Sequence, residues 1–101
     1  MNQQELRRRP LPKEAITFVR GLRAAGIPLA RIAEVFDTDS TNLAFRRMLL
    51  DDGTMLYNSP VVRRIQRLLE SGVLAARVRG ELESRGQAIG AALAALSSEE
   101  A

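Results

Sequence analysis

Glycine and proline interrupt this chain at intervals that leave room only for short helices. Gly26, Pro28, Gly53, Pro60 and Gly72 fence off stretches in which apolar residues recur at helical spacing. In the first stretch Ile16, Val19 and Leu22, with Ala15 and Phe18 beside them, predict a helix over 13–25 that Gly26 terminates. Pro28 suits the first turn of a second helix, where its missing amide proton has no partner to lose, and that helix is expected to end near Phe36. Asp37-Thr38-Asp39 is turn-like, with Asp39 or Ser40 able to cap a third helix running to about Leu50. "DDGT" then breaks the chain, and "MLY" reads as a brief extended piece. Ser59-Pro60 starts a fourth helix carrying Val61, Val62, Ile65, Leu68 and Leu69 on one side until Gly72.

Beyond Gly72 two signals conflict. Gly80, Gly86 and Gly90 each cost a helix about 1 kcal/mol relative to alanine. Yet alternating steps of four and three from Val61 reach Ile65, Leu68, Gly72, Ala75, Arg79, Leu82, Gly86, Ile89, Leu93 and Leu96, a mostly apolar seam of the coiled-coil kind. Helix, small break, helix is the expectation, with "SSEEA" as a frayed tail. The divisions are thus an arm over 1–12, a bundle over 13–50, a connecting loop over 51–58, a helical region over 59–96 and a tail over 97–101. No internal repeat and no longer strand is evident, so the expected fold is all-α: an N-terminal three-helix bundle followed by C-terminal helices.

Composition narrows the function. A chain of 101 residues suits one domain with a modest core, burying about 60 to 70% of its unfolded surface. It has no cysteine and no histidine. That removes thiol nucleophiles, disulfides, the usual zinc sites and the commonest general base, so no cofactor and no metal is expected. The opening "MNQQELRRRP" lacks the apolar core of a signal peptide, and no apolar run approaches the roughly 18 residues of a membrane helix. A cytoplasmic protein is expected. Net charge is +3, and residues 1–50 hold nine Lys/Arg against five Asp/Glu while 51–101 hold six against seven. All but Lys13 of the basic residues are arginine, whose planar fork suits phosphate and the major-groove edge of guanine; the alternative is that an arginine- and alanine-rich composition reflects GC-rich coding.

Residues 29–49, "LARIAEVFDTDSTNLAFRRML", carry the parts of a helix-turn-helix: small Ala33 where two helices cross, Ile32 and Phe36 as anchors of the first, Leu43 as anchor of the second, and a polar start to the second helix. With the Gly26-Ile27-Pro28 link before it, the window over about 11–50 resembles the trihelical, homeodomain-like helix-turn-helix of bacterial resolvases, transposases and small repressors. Three positions depart from that pattern. Asp37 stands where the family has glycine, Thr38 where it has an aliphatic residue, and Arg46 where it has an apolar one, with Phe45 offset by one. The resemblance implies a sequence-specific binder of double-stranded DNA, a small bacterial, plasmid or phage regulator acting as a dimer. Ser40, Thr41 and Asn42 would then face bases, with Arg46 reaching guanine or the backbone; Ser40 as a cap is the alternative. Arg7, Arg8 and Arg9 would lie in the minor groove or form a solvated arm. Arg20, Arg23, Arg31 and Arg47 would touch phosphates.

A second stretch, "DGTMLYNSPVVRRIQRLLESGV", resembles the segment that follows the reading head in regulators of the mercury-resistance type, a wing leading into a helix and a long dimerising coil. It implies phosphate contacts from Arg63, Arg64 and Arg67, which otherwise read as the outer face of an amphipathic helix. Leu82, Ile89, Leu93 and Leu96 form the expected homodimer interface, or they fold back to finish a monomer core. Two other classes remain. A helical adaptor for a protein such as RNA polymerase would expose an apolar groove. An enzyme would rest on Asp51-Asp52 beside Gly53 alone, without a partner base or metal set.

Overall fold

The computed structural model describes the backbone of residues 7–100 and the side chains of residues 7–97. The elements run β1 (Arg8–Pro10), α1 (Lys13–Ala24), α2 (Leu29–Val35), α3 (Leu43–Leu50), β2 (Leu56–Asn58), α4 (Ser59–Glu70) and α5 (Val73–Glu100). The chain is therefore mostly helical, in keeping with the expected class, with one small two-stranded sheet. No helix in the described residues is long and apolar enough to cross a membrane.

The apolar periodicity of the first helices translates into a common core. Ala15, Ile16, Val19 and Leu22 of α1 meet Ile32, Ala33 and Val35 of α2, Phe36 just beyond it, and Phe45 and Met48 of α3. Tyr57 of β2, Val62 and Ile65 of α4, and Leu74 and Val78 of α5 close it from the other side. Two helix ends use the same device. Gly26 at φ 76° and Asp37 at φ 56° sit in the left-handed region, and the next amide in each case reaches back into the helix, Ile27 N to Leu22 O at 3.1 Å and Thr38 N to Ala33 O at 3.0 Å. This closure satisfies carbonyls that a helix end leaves open. Aspartate is among the few residues with a side chain that tolerate such a backbone. The Arg77 Nη1 also holds it in place, donating to Asp37 Oδ1 at 2.8 Å and to Val35 O at 3.1 Å.

Several expectations are corrected. The arm over 1–12 is not free throughout: Arg8–Pro10 pairs antiparallel with Leu56–Asn58, Arg8 opposite Asn58, Arg9 opposite Tyr57 and Pro10 opposite Leu56. Ser59 extends the ribbon, donating from N and Oγ to Arg7 O at 3.2 and 2.9 Å. Proline is tolerated at the end of so short an edge strand; residues 1–6 lie outside the described residues. The third helix starts at Leu43, later than Asp39 or Ser40, because Asn42 is its cap and accepts from Phe45 N at 3.1 Å. Leu43 is not an anchor but 79% exposed, and Phe45, 1% exposed, occupies the core instead. The break expected after Gly72 is absent: α5 is one helix of 28 residues, continuing through most of the expected tail. A Cβ on Gly80, Gly86 or Gly90 would meet nothing within 4 Å, so no packing strain adds to their propensity cost, and the surrounding alanines offset it. Nor does the seam fold back: the side chains of residues 82–97 are all exposed.

Candidate nucleic-acid interface

α3 turns two sides of unlike character. Phe45 and Met48 are buried, while Leu43, Arg46, Arg47 and Leu50 face outward. The core-filling demand of Phe45 sets this rotation. Arg47 leans toward β2, where its guanidinium donates to Leu56 O at 3.2 Å and lies 5.7 Å from the centre of the Tyr57 ring. Tyr57 is itself buried and donates to Asp51 Oδ2 at 2.7 Å. Burial first, and then the bond to the Asp51 carboxylate, push the phenol well above its ordinary pKa, so it stays a neutral donor. Asp51 Oδ1 accepts from Gly53 N at 2.7 Å and Met55 N at 3.3 Å. The turn after α3 is thereby tied to β2, and β2 carries β1 with it.

The ribbon sits between α3 and α4 and lines shallow clefts on both flanks. Arg8, Leu43, Ala44, Arg47, Leu56, Asn58 and Val61 border one cleft. Arg9, Ser59, Val62 and Arg63 border the next, and Pro60, Arg63, Gln66, Arg67 and Glu70 a third. Arg8 and Arg47 thus share one cleft, and Arg9, Arg63 and Arg67 line the two clefts that meet at Arg63; Arg46 is exposed on α3. Among the described residues Arg8, Arg9, Arg46, Arg63, Arg64 and Arg67 form no ion pair; Arg64 is half-buried with Nε unpartnered.

The ion pairs among the described residues lie elsewhere, within α2 and between α5 and the α2 segment. Arg31 is shared by Glu34, at 3.1 Å, and Glu81, and Arg77 holds Asp37. Arg31 is therefore neutralised where the sequence suggested a phosphate contact. Arg20 and Arg23 are engaged at the end of α3, donating to Asp51 O at 3.4 Å and to Leu49 O at 2.8 Å. Arg7 is exposed next to the ribbon.

Ser40, Thr41 and Asn42 do not form the first turn of α3. Ser40 and Thr41 lie in the preceding turn, where Asp39 Oδ1 accepts from Thr41 N at 2.9 Å and from its hydroxyl. The Thr41 hydroxyl, then its amide, hold the Asp39 carboxyl below its usual range. Thr54, hydroxyl first, does the same for Asp52. Asp51 and Asp52 both act as turn-fixing acceptors, and among the described residues no group of three or more His, Cys, Asp or Glu could hold a metal ion. Sequence reasoning missed the outward placement of Leu43 and Leu50; the one-residue offset of Phe45 was the signal that could have shown it. Leu82, Ile89, Leu93 and Leu96 stand exposed along α5.

No family model, no curated protein and no solved structure matches the chain.

Proposed function

We propose that the protein binds double-stranded DNA through α3, the β1–β2 ribbon and α4, and does so as a homodimer joined through α5. The observation that carries this reading is the partition of arginines. Arg31 and Arg77, where α2 meets α5, are matched by carboxylates, whereas the arginines of the ribbon, α3 and α4 form no ion pair among the described residues. Unpaired guanidiniums on the ribbon and on the helices that flank it fit a polyanion with regularly spaced phosphates. The closed turn after α2, with Asp37 in a left-handed backbone where helix-turn-helix proteins have glycine, supports the same assignment. A short strand carrying Tyr57, then α4, then one long helix is also the order implied by the resemblance to mercury-resistance regulators. That favours a winged version of the reading, with the N-terminal segment supplying the second strand of the wing. The role in transcription and the cytoplasmic location follow as part of the proposal.

The adaptor reading draws on Leu43, Leu50 and Leu56, which lie exposed on the same surface. Salt separates the two. Affinity for random duplex should fall steeply with salt, and each phosphate contact removed should lower the log–log slope by about 0.9. Arg46→Ala, Arg63→Ala and Arg67→Ala are suitable because none of these side chains has an internal partner. Absence of binding at low salt, or an unchanged slope in all three variants, rejects the DNA reading.

A further inference from the structure

We propose that α3 reads thymine methyl groups with Leu43 and Leu50, on either side of a guanine contacted by Arg46. This rests on the DNA-binding reading and specifies which bases that surface takes. Two of the polar residues ahead of α3 are engaged within the protein: Asn42 Oδ1 caps the helix on Phe45 N, and the Thr41 hydroxyl donates to Asp39. Asp39, ionised and exposed, would repel phosphate if that turn were pressed into a groove.

What α3 offers outward is Leu43 at 79% exposure, Leu50 at 78%, and Arg46 between them. Positions three and four apart share one helix face. Single exposed leucines are ordinary; two on one stripe, flanking an arginine with no internal partner, form a pattern. The stripe spans about 10 Å along the helix, roughly three base-pair steps at 3.4 Å each. The floor of the major groove presents one apolar group, the thymine methyl, and arginine's fork matches guanine O6 and N7. A guanine with thymines to both sides, within about four base pairs, is the complement.

The test begins with selection of a preferred duplex from a random pool. In that duplex each contacted thymine is then replaced by deoxyuridine, which removes only the methyl, and the guanine by its 7-deaza analogue, which removes only N7. Wild type should lose about fourfold in affinity per methyl and about tenfold at the guanine. Leu43→Ala and Leu50→Ala should bind thymine and uracil duplexes alike, and Arg46→Ala should ignore the deaza change. All three side chains are exposed, so the variants keep the fold. Equal wild-type affinity for thymine and uracil duplexes, or a pool without a preferred sequence, overturns this inference and leaves salt-dependent DNA binding standing. That outcome would also turn the two leucines toward a protein partner. No duplex binding at any salt overturns both.

Discussion

Tyr57 is the lone tyrosine of the chain, so its titration can be followed without interference. In the unfolded chain a phenol ionises near pH 10. In the native protein burial and the Asp51 carboxylate hold the proton on to higher pH. Above pH 10 the native state therefore binds more protons than the unfolded state, and stability, complete below that pH, declines as pH rises further. Tyrosinate absorbance should stay low through pH 10 to 11 in native protein and rise only with unfolding; normal titration near pH 10 in folded protein would refute this. Tyr57→Phe leaves Asp51 Oδ2 without its hydroxyl donor in a buried site. Urea unfolding should show a loss of about 1–3 kcal/mol. The exposed aspartates work with the opposite sign. Asp39 and Asp52 have lowered native pKa values, so their contribution is present above the ordinary carboxyl range near pH 4 and is lost as pH falls below it. The urea midpoint of Asp39→Asn/Asp52→Asn should therefore change less between pH 7 and pH 3 than that of wild type.

The short helices need help at their C-termini, and arginines from elsewhere in the chain supply it. Arg85 donates to Ala25 O after α1, Arg77 to Val35 O at the end of α2, and Arg23 to Leu49 O in α3. Cations at these ends also complement the helix dipole, so part of the arginine excess is structural. Arg77 bonds both a carbonyl and Asp37 but is 39% exposed. Replacing it with alanine should cost about 1 kcal/mol, seen as a lower thermal midpoint, with α2 the first element to lose amide protection. The helices α1, α2 and α4 were legible because Gly26, Pro28, Pro60 and Gly72 mark their limits locally. The ribbon was not, since nothing near Arg8 in sequence says that Asn58 lies opposite it. Nor was the start of α3: Asp39, Ser40 and Asn42 are all competent caps, and the choice fell to whichever start put Phe45 in the core. The same rotation decided which part of the site was legible. Arg46 is legible as outward and basic, but the sequence pattern makes Leu43 a packing anchor because leucine is usually buried.

At the scale of the molecule the shape is set by α5. A compact chain of this length has a radius of gyration of about 13 Å, against 16.8 Å observed, with a long axis of 67 Å. α5 alone accounts for about 42 Å. Helices in proteins draw most of their stability from packing, and α5 buries no side chain over residues 79–97, so a partner helix is the natural source of its order. The 82, 86, 89, 93, 96 spacing lays out a seam for one, and the direction of pairing follows from Gly86. Parallel helices would set Gly86 against Gly86 and leave a void in that layer. Antiparallel helices can set Ile89 over Gly86 and Leu82 against Leu93, with the Arg79 stem covering Leu96. The chain has no cysteine, so single cysteines can report the direction. In the antiparallel register two copies of residue 82 lie about 16 Å apart along the axis, well beyond the 7 Å that a disulfide tolerates between Cα atoms. Leu82→Cys alone should then resist oxidation to a covalent dimer, while an equimolar mixture with Leu93→Cys should crosslink. Ile89→Asp should sediment as a monomer and lose affinity for a two-half-site duplex while keeping its affinity for a single half-site. Efficient crosslinking of Leu82→Cys with itself would establish the parallel arrangement instead, and a monomeric wild type at tens of micromolar would remove α5 as a pairing element.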